Sequence, residues 1–419
     1  MKICILGLGH IGLPTATLFA VNGHNVIGVD TNMSVLRAVG EGRTPFDEPG
    51  LPELLKKAVN SGHLVVGKDA AEADSFIIAV PTPLDKGSKK ADLKYVRSAI
   101  EMICPRLRRG NLVVLESTVP PGTTEGVVVP ILEKSKLEAS SDFYLAFCPE
   151  RAMPGNTIHE MIYNDRVIGG INSKSAELTV SLYSSFVKGS IHPTGVRTAE
   201  FVKLIENTFR DVNIAFANEL ALIAEELSVN VWDAIRLANK HPRVNILRPG
   251  PGVGGHCLTK DPWFLTQDST RQRMVSLARE TNDEMPTHIL QIVRSVVKDI
   301  KDPVVTVLGA GYKGGVGDTS EAPTLRFVEL AEKEGFKIKI HDPHIKGPEH
   351  RTLGLEEAVK GSDCVILMTD HPEFRDINVE RVSALMRNRN LIDTRNMLDR
   401  EQWEKEDFRV RVLGDGTAM

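Results

Sequence analysis

The chain has 419 residues, 42% hydrophobic and 25% charged. At roughly 150 residues per domain that is two or three domains, with too much apolar content for a disordered chain. Lys plus Arg is 51 against 55 Asp plus Glu, a formal charge of −4, and only 5% of residues are aromatic. No global basic field or stacking platform exists to hold nucleic acid or an anionic membrane, whereas an anionic small substrate needs only a few local cations. The five cysteines, Cys4, Cys104, Cys148, Cys257 and Cys364, are widely spaced, with no CxxC and no Cys/His cluster. That pattern reads as a reduced set without a disulfide frame or a metal site. Met1 leads straight into a strand-like run instead of a signal peptide, and no apolar run approaches the ~18 residues of a membrane span. A soluble, cytoplasmic protein is expected.

In chain order, residues 2–6, 25–30, 75–80, 112–116 and 143–147 read as strands. Helix-like stretches lie between them at 11–22, 52–60, 93–104 and 124–136. Strands alternating with helices imply a parallel, doubly wound sheet. The rhythm breaks after residue 195: Val202, Ile205, Phe209, Val212, Phe216, Leu220 and Ile223 keep a helical period, and no Pro or Gly occurs from 196 to 240. This predicts a long helix, broken once near 228–230, that joins two α/β halves and is suited to a dimer seam. Alternation resumes with strands at 304–308, 337–341, 364–368 and 390–393. The expected fold is α/β, two Rossmann-like doubly wound domains joined by a long central helix. The expected divisions are 1–195, a central helical and dimerisation region at 196–300, and 301–419.

Gly7-Leu8-Gly9-His10-Ile11-Gly12 is a GxGxxG between a strand and a helix. Gly7 permits the tight turn, Gly9 lets backbone approach a pyrophosphate, and Gly12 lets helix pack on strand. Asp30 ends the second strand, where a carboxylate hydrogen-bonds a ribose and repels a 2′-phosphate, so NAD is expected over NADP. Gly309-Ala310-Gly311-Tyr312-Lys313-Gly314 repeats the pattern, but Gly315 and Gly317 follow and delay the next helix to near 322–325. This second loop is either a site for another anion, such as a nucleotide diphosphate held with Lys313, or a structural echo of the first domain.

The densest signal is Gly250-Pro251-Gly252-Val253-Gly254-Gly255-His256-Cys257, followed by Leu258-Thr259-Lys260-Asp261. Glycines allow close approach to a ligand, and a thiol at the start of a helix is a candidate nucleophile. If that helix begins here, Cys257 and Asp261 share one face. Cys4, Cys148 and Cys364 fall in strands and read as inert packing residues. Lys203, Asn207 and Arg210 share a stripe of the long helix, which is either a solvated face or a pocket wall. Residues 80–83, 116–118 and 148–151 follow strands, at the end of the sheet where open α/β folds bind ligands.

These strings, in this order along essentially the whole chain, resemble the UDP-glucose/GDP-mannose dehydrogenase family: GLGHIGLP, AVPTP, ESTVPPGTT, CPERAMPG, the Lys203/Asn207 helix, GVGGHCLTKDP and the Lys313 loop. NDRVIGG, FRDVNIAFANEL, HPRVNIL and PGPGVGGHC are similar to the branch acting on UDP-N-acetyl-D-mannosamine; enzymes for other UDP-N-acetylhexosamines share the GGHC form. The resemblance implies a double oxidation of the sugar C6 hydroxyl to a carboxylate by NAD, through a thiohemiacetal and a thioester on Cys257. Lys203 and Asn207 then stabilise oxyanions, and Asp261 and Glu150 serve as base or water activator. It further implies substrate contacts at Arg151, Ala152, Lys203, Asn207, Arg210, His241, Arg243, Gly254, Tyr312 and Lys313, with Arg243 acting across a homodimer contact and Arg395 a weaker candidate. Cofactor contacts are implied at Ile11, Asp30, Thr82 and Thr118. One position departs: relatives commonly carry Arg in a D-x-R-E-S-P-like string where this chain has Ser320. Competing readings are the same chemistry on UDP-GlcNAc, UDP-GalNAc or UDP-glucose, a one-step hydroxyacid dehydrogenase, and a non-catalytic nucleotide-sugar sensor.

Overall fold

The computed structural model describes residues 1–345 and 351–417. The chain divides into two compact units: Met1–Glu206 with Trp263–Asp268, and Asn207–Pro262 with Ser269–Met419.

The strands of the first unit are β1 (Lys2–Leu6), β2 (Asn25–Val29), β3 (Leu64–Gly67), β4 (Ser75–Ile78), the small hairpin β5 (Leu84–Asp85) and β6 (Lys90–Ala91), β7 (Leu112–Leu115), β8 (Tyr144–Phe147), β9 (Arg166–Gly170) and β10 (Ile191–Gly195). All but the hairpin form one sheet, ordered β10-β9-β8-β7-β4-β1-β2-β3. The order reverses between β1 and β4, the switch point at which such sheets take ligands. Side chains of β1 alternate between two cores. Ile3 and Ile5 pack with Leu13 and Phe19, while Cys4 and Leu6 pack with Ile100 and Val128. Burial on both faces explains why these strands read as continuous apolar runs.

The sheet is parallel except where β8 meets β9. Neither β9 nor β10 announces itself in the sequence. β10 is the exposed edge strand IHPTG, whose proline suits an edge. β9 ends in glycines because a Cβ on Gly169 would lie 2.6 Å from the Val196 Cα and 2.7 Å from the Ala199 Cβ. The stretch expected as one helix over 124–136 is a π turn (Thr124–Val128), an α turn (Val129–Leu132) and a 3-10 turn (Glu133–Ser135). Pro130 has no N–H to donate there, so one regular ladder cannot run through.

The central helix runs Val196–Glu226 and stops as expected. Ser228 takes a left-handed φ of 54°, and Asn230 caps the next helix, Val231–Ala238. In the second unit β11 (Val304–Leu308), β12 (Lys337–His341), β13 (Cys364–Leu367), β14 (Asn390–Asp393) and β15 (Arg409–Val412) form a wholly parallel sheet ordered β12-β11-β13-β14-β15. The helix Arg273–Val297 covers it through Met285, Ile289 and Val293. No helix among the described residues is long and apolar enough to cross a membrane.

Candidate active site

In the first unit the glycine turn divides its labour as the motif requires. Gly7 has a φ of +95°, and a Cβ there would lie 2.6 Å from the Ala79 carbonyl oxygen. A Cβ on Gly12 would fall 1.9 Å from the Gly7 oxygen, whereas one on Gly9 would meet nothing within 4 Å. The first and third glycines are thus demanded by packing, and the second leaves open space where a pyrophosphate can approach backbone. Asp30 braces the turn: Oδ2 accepts the Leu8 N–H at 2.8 Å and Oδ1 the Asn32 N–H at 2.8 Å. Ile11 stands at the head of the first helix, Gly12–Val21. Across the switch point the Thr82 hydroxyl donates to the Thr118 carbonyl at 2.7 Å, which ties the loops after β4 and β7 together. These residues fit a dinucleotide.

Glu150 and its neighbours are gathered just beyond β8. Glu150 is buried; Oε1 accepts the N–H groups of Arg151 (2.7 Å) and Ala152 (2.8 Å), and Oε2 accepts from Arg166 at 2.7 Å. Arg151 is held by Glu206 at 2.7 Å and by the Asp165 carbonyl at 2.7 Å. Sequence reading missed Arg166, which also serves the buried Glu116. Burial pushes the Glu116 carboxyl up to about 7, against the pull of Arg166 and with the help of Glu150. The Cys148 thiol is pushed up to about 12 by burial, which fits its packing role.

The stripe on the central helix is split. Lys203 and Asn207 are buried, while Arg210 is exposed. Asn207 Nδ2 donates to Asp261 Oδ2 at 2.7 Å. Further along the helix, buried Asp211 accepts from Arg279 (2.6 Å) and Asn282 (2.8 Å), Asn218 donates to Asn282 (2.9 Å), and Asn218 Oδ1 accepts the Gly250 N–H at 2.8 Å. This polar chain, which fastens the start of the thiol loop to two helices, also went unread. Its one signal was the polar Asp211 and Asn218 inside an otherwise apolar helical face.

Cys257 is exposed at the end of that loop. The helix expected to begin at the cysteine begins later, at Asp261–Thr266. Cys257 sits in the preceding turn, and its carbonyl accepts the Asp261 N–H at 2.9 Å. Tyr312 lies against the loop: a Cβ on Gly254 would be 2.7 Å from the Tyr312 Cβ, and one on Gly255 would be 2.8 Å from its ring. Burial first, then the nearby Asp318 and Cys257, push the Tyr312 phenol up, while Arg210 pulls it down. Two candidate site residues, Cys257 and Arg210, are therefore within electrostatic reach of one phenol. His241 and Arg243 pair with each other in an exposed turn, the Arg243 N–H donating to His241 Nδ1 at 3.3 Å.

The second glycine motif begins as an echo of the first and then departs. The Gly309 N–H reaches the His341 carbonyl at 2.8 Å, as the Gly7 N–H reaches that of Val29 at 2.8 Å. Asp342 accepts the Ala310 N–H at 2.7 Å, as Asp30 accepts that of Leu8. Beyond this point the amides are used internally. Gly311 donates to Asp342 (3.2 Å), Gly314 to Asp370 (3.1 Å) and Gly315 to His371 Nδ1 (3.0 Å). The Lys313 side chain of this loop is half-buried, and the next helix waits until Pro323–Lys333. His344, His371 and Glu373 come together nearby. Both His371 nitrogens are engaged, by Gly315 and by Asp342 at 3.0 Å, so this histidine is a pillar of the loop. Arg395 donates from Nε to the Met368 carbonyl at 3.1 Å and underlies Gly250.

Three family models match the chain in succession. Residues 1–187 match the NAD binding domain of the UDP-glucose/GDP-mannose dehydrogenase family, 197–284 its central domain and 306–400 its UDP binding domain. The UDP-N-acetyl-D-mannosamine dehydrogenase of Methanococcus maripaludis is 46% identical over 99% of this chain and 97% of its own. An NDP-N-acetyl-D-galactosaminuronic acid dehydrogenase of Ralstonia nicotianae is 43% identical over 94% and 96%. The solved structure of the UDP-D-ManNAc dehydrogenase from Pyrococcus horikoshii superposes with a TM-score of 0.94 at 42% identity, covering 100% of both chains. With an NAD-type turn, a UDP binding domain and an exposed thiol at the end of a glycine loop, the chain belongs to the UDP-glucose/GDP-mannose dehydrogenase family of NAD-dependent oxidoreductases.

Proposed function

We propose that this enzyme oxidises the C6 hydroxyl of UDP-N-acetyl-D-mannosamine twice, giving the uronate. The observation that carries the reading is Cys257, exposed on a loop whose glycines are packed by Tyr312. NAD, when bound, accepts a hydride in each oxidation. In the first, the alcohol also releases a proton to a carboxylate, for which Asp261 and Glu150 are the candidates, and becomes the aldehyde. The Cys257 sulfur then adds to the aldehyde carbon, and the resulting thiohemiacetal oxygen carries the proton. Loss of hydride and that proton yields a thioester. Water cleaves it to the carboxylate, returning the thiol and releasing a proton. Lys203 and Asn207 stabilise the oxyanions of these steps. Keeping the aldehyde covalent prevents its escape between oxidations.

Arg151, Ala152, Arg210, His241, Arg243, Gly254, Tyr312 and Lys313 are assigned to the UDP-sugar, and Ile11, Asp30, Thr82 and Thr118 to NAD. A homodimer is supported by the exposed apolar residues Phe201, Ile205, Phe209, Phe216 and Ile223 of the central helix. A cytoplasmic setting suits five cysteines that form no disulfide. The Ralstonia relative keeps UDP-N-acetyl-D-galactosamine as the second reading. The test is a panel of UDP-sugars with NADH counted per sugar consumed. UDP-N-acetyl-D-mannosamine should give the highest kcat/KM and two NADH. A kcat/KM for UDP-N-acetyl-D-glucosamine, UDP-N-acetyl-D-galactosamine or UDP-glucose that equals or exceeds it overturns the sugar assignment.

A further inference from the structure

A nucleophile has to be held within about half an ångström of its productive position. The loop leading to Cys257 is poorly suited to hold itself, because glycine carries no side chain to anchor and has the largest conformational freedom. Within the second unit, one residue grips both positions that precede the thiol. The Ser320 carbonyl accepts the Gly255 N–H at 2.8 Å, and the Ser320 hydroxyl lies 2.8 Å from His256 Nε2. Ser320 is itself clamped by Asp318, whose Oδ1 accepts the Ser320 N–H at 2.8 Å and its hydroxyl at 2.5 Å.

The proton count fixes the direction of this chain. The Asp318 carboxylate can only accept, so the single hydroxyl proton of Ser320 goes to it. His256 Nε2 must then be the donor to Ser320 Oγ, which places a proton on Nε2 and holds the imidazole in one orientation at the position before Cys257. An arginine at position 320 has no acceptor and could not receive that N–H.

We infer that Ser320, anchored by Asp318, is a positioning residue for the Cys257 nucleophile, acting through the His256 ring and the Gly255 amide. The inference deepens the thiol mechanism proposed above and rests on it. Ser320 touches neither sulfur nor substrate in this role; it decides how the thiol is presented.

The test uses the full-length enzyme with Ser320→Ala, Ser320→Thr and Asp318→Asn. The first readout is the rate at which iodoacetamide alkylates Cys257 in the substrate-free protein, followed by mass spectrometry of the Cys257 peptide. The second is kcat and KM for the UDP-sugar. Ser320→Ala should slow alkylation and lower kcat by about tenfold, with KM changed by less than about twofold. Asp318→Asn should move both readouts the same way. Ser320→Thr keeps the hydroxyl and should restore both. An alkylation rate in Ser320→Ala that is unchanged or faster overturns the inference, and so does a Ser320→Thr variant as impaired as Ser320→Ala. If Ser320→Ala fails to fold, Asp318→Asn and Ser320→Thr carry the same comparison. If no UDP-sugar is oxidised by the wild type, the proposed function fails, and the alkylation series still judges the positioning role.

Discussion

Asn207 and Asp261 meet in a buried hydrogen bond of 2.7 Å, between the central helix and the short helix that follows the thiol loop. The amide thereby fixes the carboxylate of a residue whose N–H bonds to the Cys257 carbonyl at 2.9 Å, and the proposed mechanism gives the same amide a second part as an oxyanion donor. Asn207→Ala removes a donor from a buried carboxylate, a loss of about 1–3 kcal/mol. The variant should unfold at lower urea and turn over more slowly. Asn207→Asp should be worse on both counts, because it sets two carboxyl groups against each other. Urea midpoints and kcat for the pair of variants check this, and an Asn207→Asp enzyme as stable as wild type contradicts it.

Cys257→Ser replaces a thiol by a hydroxyl that is hardly ionised near neutral pH. Production of uronate should fall almost to nothing while NAD and UDP-sugar still bind, since the glycine loop is untouched. Residual turnover should stop at the aldehyde or at a trapped adduct. Product analysis with parallel binding measurements tests this. Near-normal uronate at two NADH per sugar would remove the thiol from the mechanism.

In the proposed cofactor site Asp30 would repel a 2′-phosphate, and its oxygens brace Leu8 and Asn32. NAD should be used far better than NADP. Asp30→Ala should narrow the gap, and it should do so partly by weakening NAD itself, because the turn loses its brace. The ratio of kcat/KM values for the two cofactors is the measurement; equal efficiency in the wild type would refute the reading.

Gly254→Ala places a methyl 2.7 Å from both the Tyr312 Cβ and the Glu321 carbonyl oxygen. Neither neighbour can yield without backbone movement, so the substitution should cost about 1–3 kcal/mol of stability as overpacking. The displaced loop should also lower kcat. Gly9→Ala, whose Cβ meets nothing, should leave stability nearly unchanged while weakening NAD binding. Thermal unfolding and NAD titration separate the two cases.

The Glu116 carboxyl, held near 7 by burial, makes stability depend on pH in an unusual direction. Below about pH 4.5 both folded and unfolded chains keep this proton. As pH rises toward about 7 the unfolded chain releases it and the folded chain does not, so stability falls by up to about 3 kcal/mol and then levels off. Glu116→Gln is neutral throughout and should lose this slope. Urea midpoints of wild type and variant between about pH 5 and 8 decide it; parallel curves would show that Glu116 is ionised in the fold.

The alternation of strands and helices, the long helix with its break at Ser228 and the two glycine turns were legible in the sequence. Each is written in local terms: apolar period, the absence of Pro and Gly, a glycine where a Cβ would collide. Cys257 stood out for the same reason, since four glycines in front of it are a local pattern. The edge strand β10, the Gly-ended β9 and the broken turns after Thr124 were not legible. Their reasons lie in partners distant in sequence, such as the central helix pressed on Gly169. Likewise Asp211, Asn218, Arg279 and Asn282 are ordinary polar residues until the two helices are packed and each, now buried, finds its hydrogen bond. Ser320 is the clearest instance. The sequence marked it only as a departure from a family pattern, and the fold puts it 2.8 Å from His256. Local chemistry determines which turns and helices form. Which polar groups face one another is decided only when the chain closes, because a buried donor must find its acceptor wherever the tertiary structure brings one.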